Sequence, residues 1–442
     1  MMQCCDLLLT AACILTQDAE HTIWQNGALA ITAGRIADLG PAEDLRARWQ
    51  AKTVVDGSSM LVLPGLVNAH THAAMTILRG LADDMPLISW LTQRIFPVEA
   101  GLNPEEVRLG SLLGFAEMLR TGTTACVDMY IHEAQVLEAA HTAGIRCLAG
   151  EGVFGFPSAA CPSYRQALDI TRDLAARWAG HDRLRVAVNP HSVYTTSPDM
   201  LLACRDLAEE LHLPVHIHLA ESPDETARSL EQHGVRPVEH ARACGLLDLP
   251  CTAAHVVDVT DEEIALLARK RVVAVHNPSS NMKLASGILP LARMQAAALS
   301  LALGTDGAAS NNQLNMFTEM GRAALLHKIA QNDPTAASAA CVLDMATRHG
   351  AAAMHDARLG QLTVGGPADL TALDLTAPNM QPLYHPVSHA VYAATGHEVR
   401  LTMVAGEILY QDGRFTRFDY PALLQELRAV RSAVLRRAGT AH

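Results

Sequence analysis

At 442 residues the chain is too long for one small core, and ~150 residues per folding unit gives two or three units. With 49 % hydrophobic and 18 % charged residues it has ample material for a buried interior and no signature of disorder. A net charge of −12 argues against nucleic acid or an anionic membrane as the partner and leaves a small molecule.

The first sixty residues alternate short apolar runs with turn signals: 7–15, 28–31, then Gly34 to Leu39, then Val54-Val55-Asp56-Gly57. The run 7–15 has no Lys or Arg before it and Asp6 at its edge, so it reads as a strand rather than a signal peptide, and a cytoplasmic protein is expected. The ten cysteines include no C-x-x-C pair and read as reduced thiols within the core.

From residue 61 the texture changes. Short runs rich in β-branched residues occur at 61–67, 123–129, 145–150, 184–189, 214–219, 251–256, 271–276 and 299–304, and helical stretches such as 198–211, 261–270 and 314–330 follow them. Eight such units predict parallel strands joined by helices, an α/β fold with a (β/α)8 TIM barrel over 61–360. After about Gly360 the chain returns to Gly-Gly-Pro turns and short strands at 368–375, 399–404 and 406–410. Each β-rich end alone would leave edges and apolar faces uncovered, so residues 1–60 and 361–442 are expected to combine into a smaller composite β-sandwich domain.

Functional groups of such a barrel gather at the C-terminal ends of its strands. After the first run stand His70 and His72, two apart on extended chain and so on one side of it. The fifth run carries His216, His218 and Glu221, the sixth ends at His255, and the eighth leads into Asp306. Three imidazoles and a carboxylate make a nitrogen and oxygen set suited to one Zn²⁺, with Fe²⁺ as the alternative. His216 and His218 face the same way and both compete as ligand; the deeper position of His216 in the strand favours a packing role. Two-metal hydrolases of this architecture commonly bridge their ions through a carboxylated lysine after the fourth strand. The chain has no lysine between Lys52 and Lys270, and Asn189-Pro190-His191 stands there instead, so one ion is expected. A single ion lowers the pKa of bound water towards ~7, and Glu221, His255 and Asp306 are placed to move the protons.

These motifs, PGLVNAHTH at 64–72, HLAE at 218–221, NPSSNMKL at 277–284 and GTDGAASNN at 304–312, resemble the amidohydrolase superfamily, specifically its nucleobase and nucleoside deaminases. The stretch HAAMTILRGLADD at 72–84 is most similar to the 5′-methylthioadenosine/S-adenosylhomocysteine deaminase group. The resemblance implies metal binding by His70, His72, His218 and Asp306, and proton transfer by Glu221, His255 and Asp306. It further implies ribose contacts from Glu99, nine residues after Trp90, purine contact from His191, and a substrate contact from Ser310. The expected reaction is loss of the 6-amino group of a purine nucleoside, by a dimer or tetramer. One departure stands out: an arginine near the third strand is expected where the S-adenosylhomocysteine carboxylate binds, yet residues 151–157 carry no cation and Arg165 is the nearest. An apolar loop suits a methylthio group or plain adenosine better. The alternatives are a free-base deaminase of guanine, 8-oxoguanine or triazine type, an amide-ring hydrolase, and an inactive barrel kept as a scaffold.

Overall fold

Strands from the two chain ends meet in one sheet. The computed structural model describes residues 2–439. Gln3–Leu15 pairs antiparallel with Ile23–Thr32, and that strand pairs with Arg35–Pro41. Trp49–Val55 and Met60–Pro64 lie parallel to successive halves of Gln3–Leu15. Leu370–Asp374 then docks antiparallel on Met60–Pro64 and extends the sheet through Val399–Val404, Glu407–Gln411 and Arg414–Phe415 to nine strands. Alternation along these strands gives the sheet two apolar faces. Leu9, Leu29, Val62, Leu370 and Leu401 form one core, while Cys5, Leu8, Ala28 and Ala30 cover the other with Leu45 of the short helix Ala42–Arg48.

Eight parallel strands carry the remainder. Leu184–Val186, Arg146–Ala149, Thr123–Asp128 and Leu66–Thr71 are hydrogen-bonded in that order, and Val215–Leu219, Cys251–His255, Val273–His276 and Ser300–Leu303 in theirs. The two groups touch at both edges: Val188 bridges to Val215 and Ser192 to His218 on one side, and Asp306 N–H donates to His70 C=O at 3.0 Å on the other. Nearly every position in these strands is buried, which is why they read as continuous apolar runs and not as alternating ones.

Helix signals work as the sequence suggests. Asn103 and Glu106 form a reciprocal cap on Pro104–Arg120, Thr260 and Glu263 do so on Asp261–Arg269, and Ser222 caps Pro223–His233 directly after Glu221. The helix Pro198–Leu211 occupies the span read from sequence. Two elements differ from the sequence reading. The run 61–67 is two strands, because the chain leaves the end sheet after Pro64 and enters the parallel strands at Leu66. Gly65 makes that crossing: a Cβ there would sit 2.1 Å from Thr124 Oγ1 and 2.6 Å from its Cβ, so glycine leaves the room that the Thr124 side chain occupies. The C-terminal helix Tyr420–Arg437, absent from the sequence reading, packs on Pro104–Arg120 with Arg437 paired to Glu106 at 2.9 Å. All ten cysteines are free thiols, and among the described residues no helix is long and apolar enough to cross a membrane.

Candidate active site

The C-terminal ends of the strands bring His70, His72, His218 and Asp306 together, with their ligand atoms all within 4.8 Å of one another. His70 and His72 Nε2 lie 3.4 and 3.1 Å from the same Asp306 Oδ1, and His218 Nε2 is 3.3 Å from His72 Nε2. Each imidazole is oriented from behind through Nδ1: His70 by His216 Nε2 at 2.9 Å, His72 by the Met129 carbonyl, and His218 by the His191 carbonyl at 2.8 Å. The two carbonyls can only accept, so His72 and His218 carry the proton on Nδ1 and direct the Nε2 lone pair inward; a proton on His70 Nδ1 towards His216 does the same for the third ring. The fit to a cation is direct, since His70 Nε2 is buried without a hydrogen-bond partner and its neighbours are two more nitrogen bases and a carboxylate. Among the described residues this is the one such group, in keeping with a single ion.

Electrostatics point the same way. Burial drives His70 down to about 4, helped by the charge of His72, and carries His218 well below the imidazole range. Burial opposes a charge on His72 too, but the hydrogen bond and charge of Asp306 outweigh it and hold His72 up at about 9. Burial would likewise raise Asp306, yet the imidazoles of His70 and His72 against Oδ1 bring it well below the carboxylate range. Neutral imidazoles at His70 and His218 and an ionised Asp306 offer lone pairs and a negative charge, which a divalent cation can accept. Asp306 is aimed by its other contacts: Gly307 N–H donates to Oδ1 at 2.8 Å, while Ser280 and Ser310 hydroxyls donate to Oδ2 at 2.6 and 2.9 Å.

Glu221 and His255 stand beside this group. Glu221 N–H donates to Glu225 at 2.6 Å, and the Glu221 carboxyl lines the pocket with Oε1 3.9 Å from His255 Nε2. Burial raises the Glu221 pKa, so its carboxyl retains a proton to higher pH than an exposed glutamate. His255 Nδ1 pairs with Asn281 Oδ1 at 2.8 Å, leaving Nε2 to face the pocket. Ala220, His255 and Asp306 all have positive φ, of 52°, 75° and 61°, where the strands turn outward.

The pocket runs from this group to Trp90, Glu99, Tyr130, Phe154 and His191, and its empty volume counted out to the mouth is about 630 Å³. Glu99 accepts the Tyr130 hydroxyl at 2.7 Å through Oε1, and burial raises its pKa. Trp90 Nε1–H donates to the Ala82 carbonyl at 3.2 Å, which sets its ring against the pocket wall.

The amidohydrolase family profile matches residues 61–409. The chain belongs to the amidohydrolase family. A second profile, the bacterial imidazolonepropionase-like composite domain, matches residues 27–49 in the end sheet. The chain is 63 % identical over the full length of both chains to the 5-methylthioadenosine/S-adenosylhomocysteine deaminase of Desulfovibrio desulfuricans. It is 58 % identical to the protein of the same name from Nitratidesulfovibrio vulgaris, covering 99 % of this chain and 100 % of that one. Among solved structures it superposes with a TM-score of 0.96 on an adenosine deaminase from Xanthomonas campestris with bound zinc, 38 % identical, covering 99 % of this chain and 100 % of that one.

Within this amidohydrolase the strand-end residues named from sequence all come to one place, and Trp90, Glu99, His191 and Ser310 join them around the pocket. His216 sits one layer deeper, against His70. Arg165 is exposed and lies over the Tyr164 ring, and it does not line the pocket. Sequence reasoning gave no role to Tyr130, Phe154, Ser280 or Asn281. Tyr130 follows the second parallel strand directly, so the strand-end rule applied to that strand would have reached it. Ser280 and Asn281 lie in the NPSSNMKL motif, on the short helix Pro278–Lys283 that follows the seventh parallel strand.

Proposed function

We propose that this amidohydrolase removes the 6-amino group of an adenine nucleoside by hydrolysis, giving the inosine analogue and ammonia. The carrying observation is the two-ended pocket: a protonatable Glu221 beside the His70, His72, His218 and Asp306 group at one end, and the buried Glu99 carboxyl at the other. A free base has no hydroxyl pair to offer Glu99, whereas a ribose has two. The names of the full-length relatives point to the same substrates. Among the described residues lining the pocket there is no lysine or arginine to meet a homocysteinyl carboxylate, and Phe96 and Phe154 supply apolar wall. We therefore rank 5′-methylthioadenosine and adenosine above S-adenosylhomocysteine.

His70, His72, His218 and Asp306 would hold the ion, which supplies Lewis acidity that makes water nucleophilic near neutral pH. We assign it as zinc, in line with the zinc in the Xanthomonas campestris neighbour. Glu221 gives its proton to N1 of the adenine ring as water adds at C6. Asp306 and His255 accept the proton of that water, with His255 Nε2 available because Nδ1 is engaged by Asn281. Glu221, left as a carboxylate, takes the proton of the new C6 hydroxyl as the carbonyl forms, and Glu221 or Asp306 passes a proton to the amino group, which leaves as ammonia. Trp90, Glu99, His191 and Ser310 fix the nucleoside so that C6 stays at the ligand group.

We read the eight parallel strands as a closed (β/α)8 barrel, supported by the contacts at both edges, and the end sheet as a second domain with the crossing at Gly65. A dimer or tetramer accompanies this reading because the family resemblance implies it, and a cytoplasmic location is proposed with it from the sequence. The test is an ultraviolet assay of adenosine, 5′-methylthioadenosine, S-adenosylhomocysteine, adenine and guanine side by side. Fastest turnover of 5′-methylthioadenosine or adenosine is expected; a free base turned over fastest would reject the nucleoside assignment.

A further inference from the structure

His191 serves two sides of the site at once. Its carbonyl accepts from both the backbone N–H and Nδ1 of His218, at 3.0 and 2.8 Å, while its ring lines the pocket. Behind the ring lies a short run of hydroxyls: His191 Nδ1 is 2.9 Å from Thr195 Oγ1 and 3.3 Å from Ser192 Oγ, and those two oxygens are 2.8 Å apart. Ser192 is fully buried, and its oxygen already accepts the Thr195 backbone N–H at 3.2 Å.

The direction of this run is decided by counting protons and acceptors. With Ser192 donating to Thr195 Oγ1 and Thr195 donating to His191 Nδ1, every hydroxyl proton has an acceptor at 2.8 or 2.9 Å. A proton on Nδ1 would instead point at Thr195 Oγ1. Thr195 could then donate to Ser192 Oγ, which leaves the buried Ser192 proton without an acceptor among its hydrogen-bond contacts; otherwise Ser192 and His191 would both donate to Thr195 Oγ1, and the Thr195 proton would be left with the Ser192 carbonyl at 3.4 Å. That carbonyl is already taken by the Thr196 hydroxyl at 2.7 Å. The first arrangement is the satisfied one, and a buried donor without a good acceptor is costly.

We propose that Thr195, backed by Ser192, is a positioning residue that fixes His191 as the Nε2–H tautomer and so presents a hydrogen-bond donor to the substrate. A donor there selects rings that offer an unprotonated nitrogen at that edge, as adenine does with its ring nitrogens remote from C6. The proton position on this ring follows from the partners of Nδ1, so the tautomer is the variable that matters. The inference rests on His191 touching the base, and the experiment separates the two.

The zinc-loaded enzyme, labelled with ¹⁵N at histidine, reports the His191 tautomer directly by NMR, with His191→Ala giving the assignment. Wild type is expected to show the proton on Nε2. Thr195→Val, nearly isosteric but without the hydroxyl, is expected to lose that preference and to raise KM for the best nucleoside about fivefold to tenfold, one hydrogen bond's worth, with a smaller change in kcat. Thr195→Ser should restore both. A proton on Nδ1 in the wild type, or an unchanged tautomer and KM in Thr195→Val, overturns the proposal. If the tautomer shifts while His191→Ala leaves KM unchanged, the contact with the base is what fails, and with it the proposed selection of substrate.

Discussion

Asp306 is the one carboxylate among the four ligand residues, and its aim depends on two hydroxyls that could be removed without touching a ligand. Ser280 and Ser310 both donate to Oδ2, at 2.6 and 2.9 Å, so Oδ1 is left facing His70 and His72. Both serines are buried, at 0 and 2 % exposure, and Ser280, which does not line the pocket, is the one whose lost hydroxyl water is least able to replace. A hydrogen bond to a charged group contributes about 1.5–3 kcal/mol. If that loss is expressed in ion binding, Ser280→Ala or Ser310→Ala should weaken zinc affinity by about 10- to 100-fold, the scale found for partners that orient metal ligands. Because the two share one acceptor, either serine covers part of the other's loss, and the double variant should cost more than the sum of the singles. Competition with a calibrated chelator measures the affinity, and circular dichroism of the metal-free proteins checks that the fold is kept. Affinities within about threefold of wild type for all three variants would refute the view that Oδ2 is what aims Asp306.

Replacing Glu221 with Gln should keep the metal content, read by elemental analysis, while turnover falls by about 10²- to 10⁴-fold, the range for a lost general acid or base. Burial raises the Glu221 pKa and the acid works only while protonated, so kcat should decline as pH rises through that raised pKa; a pH profile of Glu221→Gln should lack that limb. Tyr130→Phe removes the 2.7 Å donor to Glu99 and should raise KM for nucleosides about tenfold while leaving zinc affinity unchanged, as steady-state kinetics and chelator competition would show. Gly65→Ala places a Cβ 2.1 Å from Thr124 Oγ1 and should cost about 1–3 kcal/mol, visible as a lower Tm in calorimetry.

The fold was legible where one physical demand repeats. Parallel strands buried on both faces must be apolar throughout, and each must be followed by a chain that returns, so eight runs could be counted from composition alone. The errors fall where the demand is local to a tertiary crossing. Nothing in residues 61–67 marks that Met60–Pro64 pairs with Leu370–Asp374 while Leu66–Thr71 pairs with Thr123–Asp128. Gly65 is the physical sign of the break, but it is legible only once Thr124 is known to lie against it. The helix Tyr420–Arg437 was lost in a chain end read as strands, and its place depends on Pro104–Arg120, more than three hundred residues earlier.

The site divides along the same line. Side chains that reach the pocket because they end a strand could be named, and so could the acid that follows one. What fixes their proton positions could not, because those partners come from distant parts of the chain. Alternation puts His216 and His218 on one face of one strand, and that symmetry is broken by depth: His216 meets His70 Nδ1 from below at 2.9 Å, so its own ring is engaged and His218 is the one left to complete the group. Each of the three ligand imidazoles is backed through Nδ1 by a different partner: His216, the Met129 carbonyl and the His191 carbonyl. A histidine with an uncommitted Nδ1 could present either nitrogen, and three such rings would present eight combinations, of which one places every Nε2 lone pair inward. Ligand identity is therefore a property of strand position and readable from sequence, whereas the protonation pattern that makes those ligands bind is a property of their backing and is readable only in three dimensions.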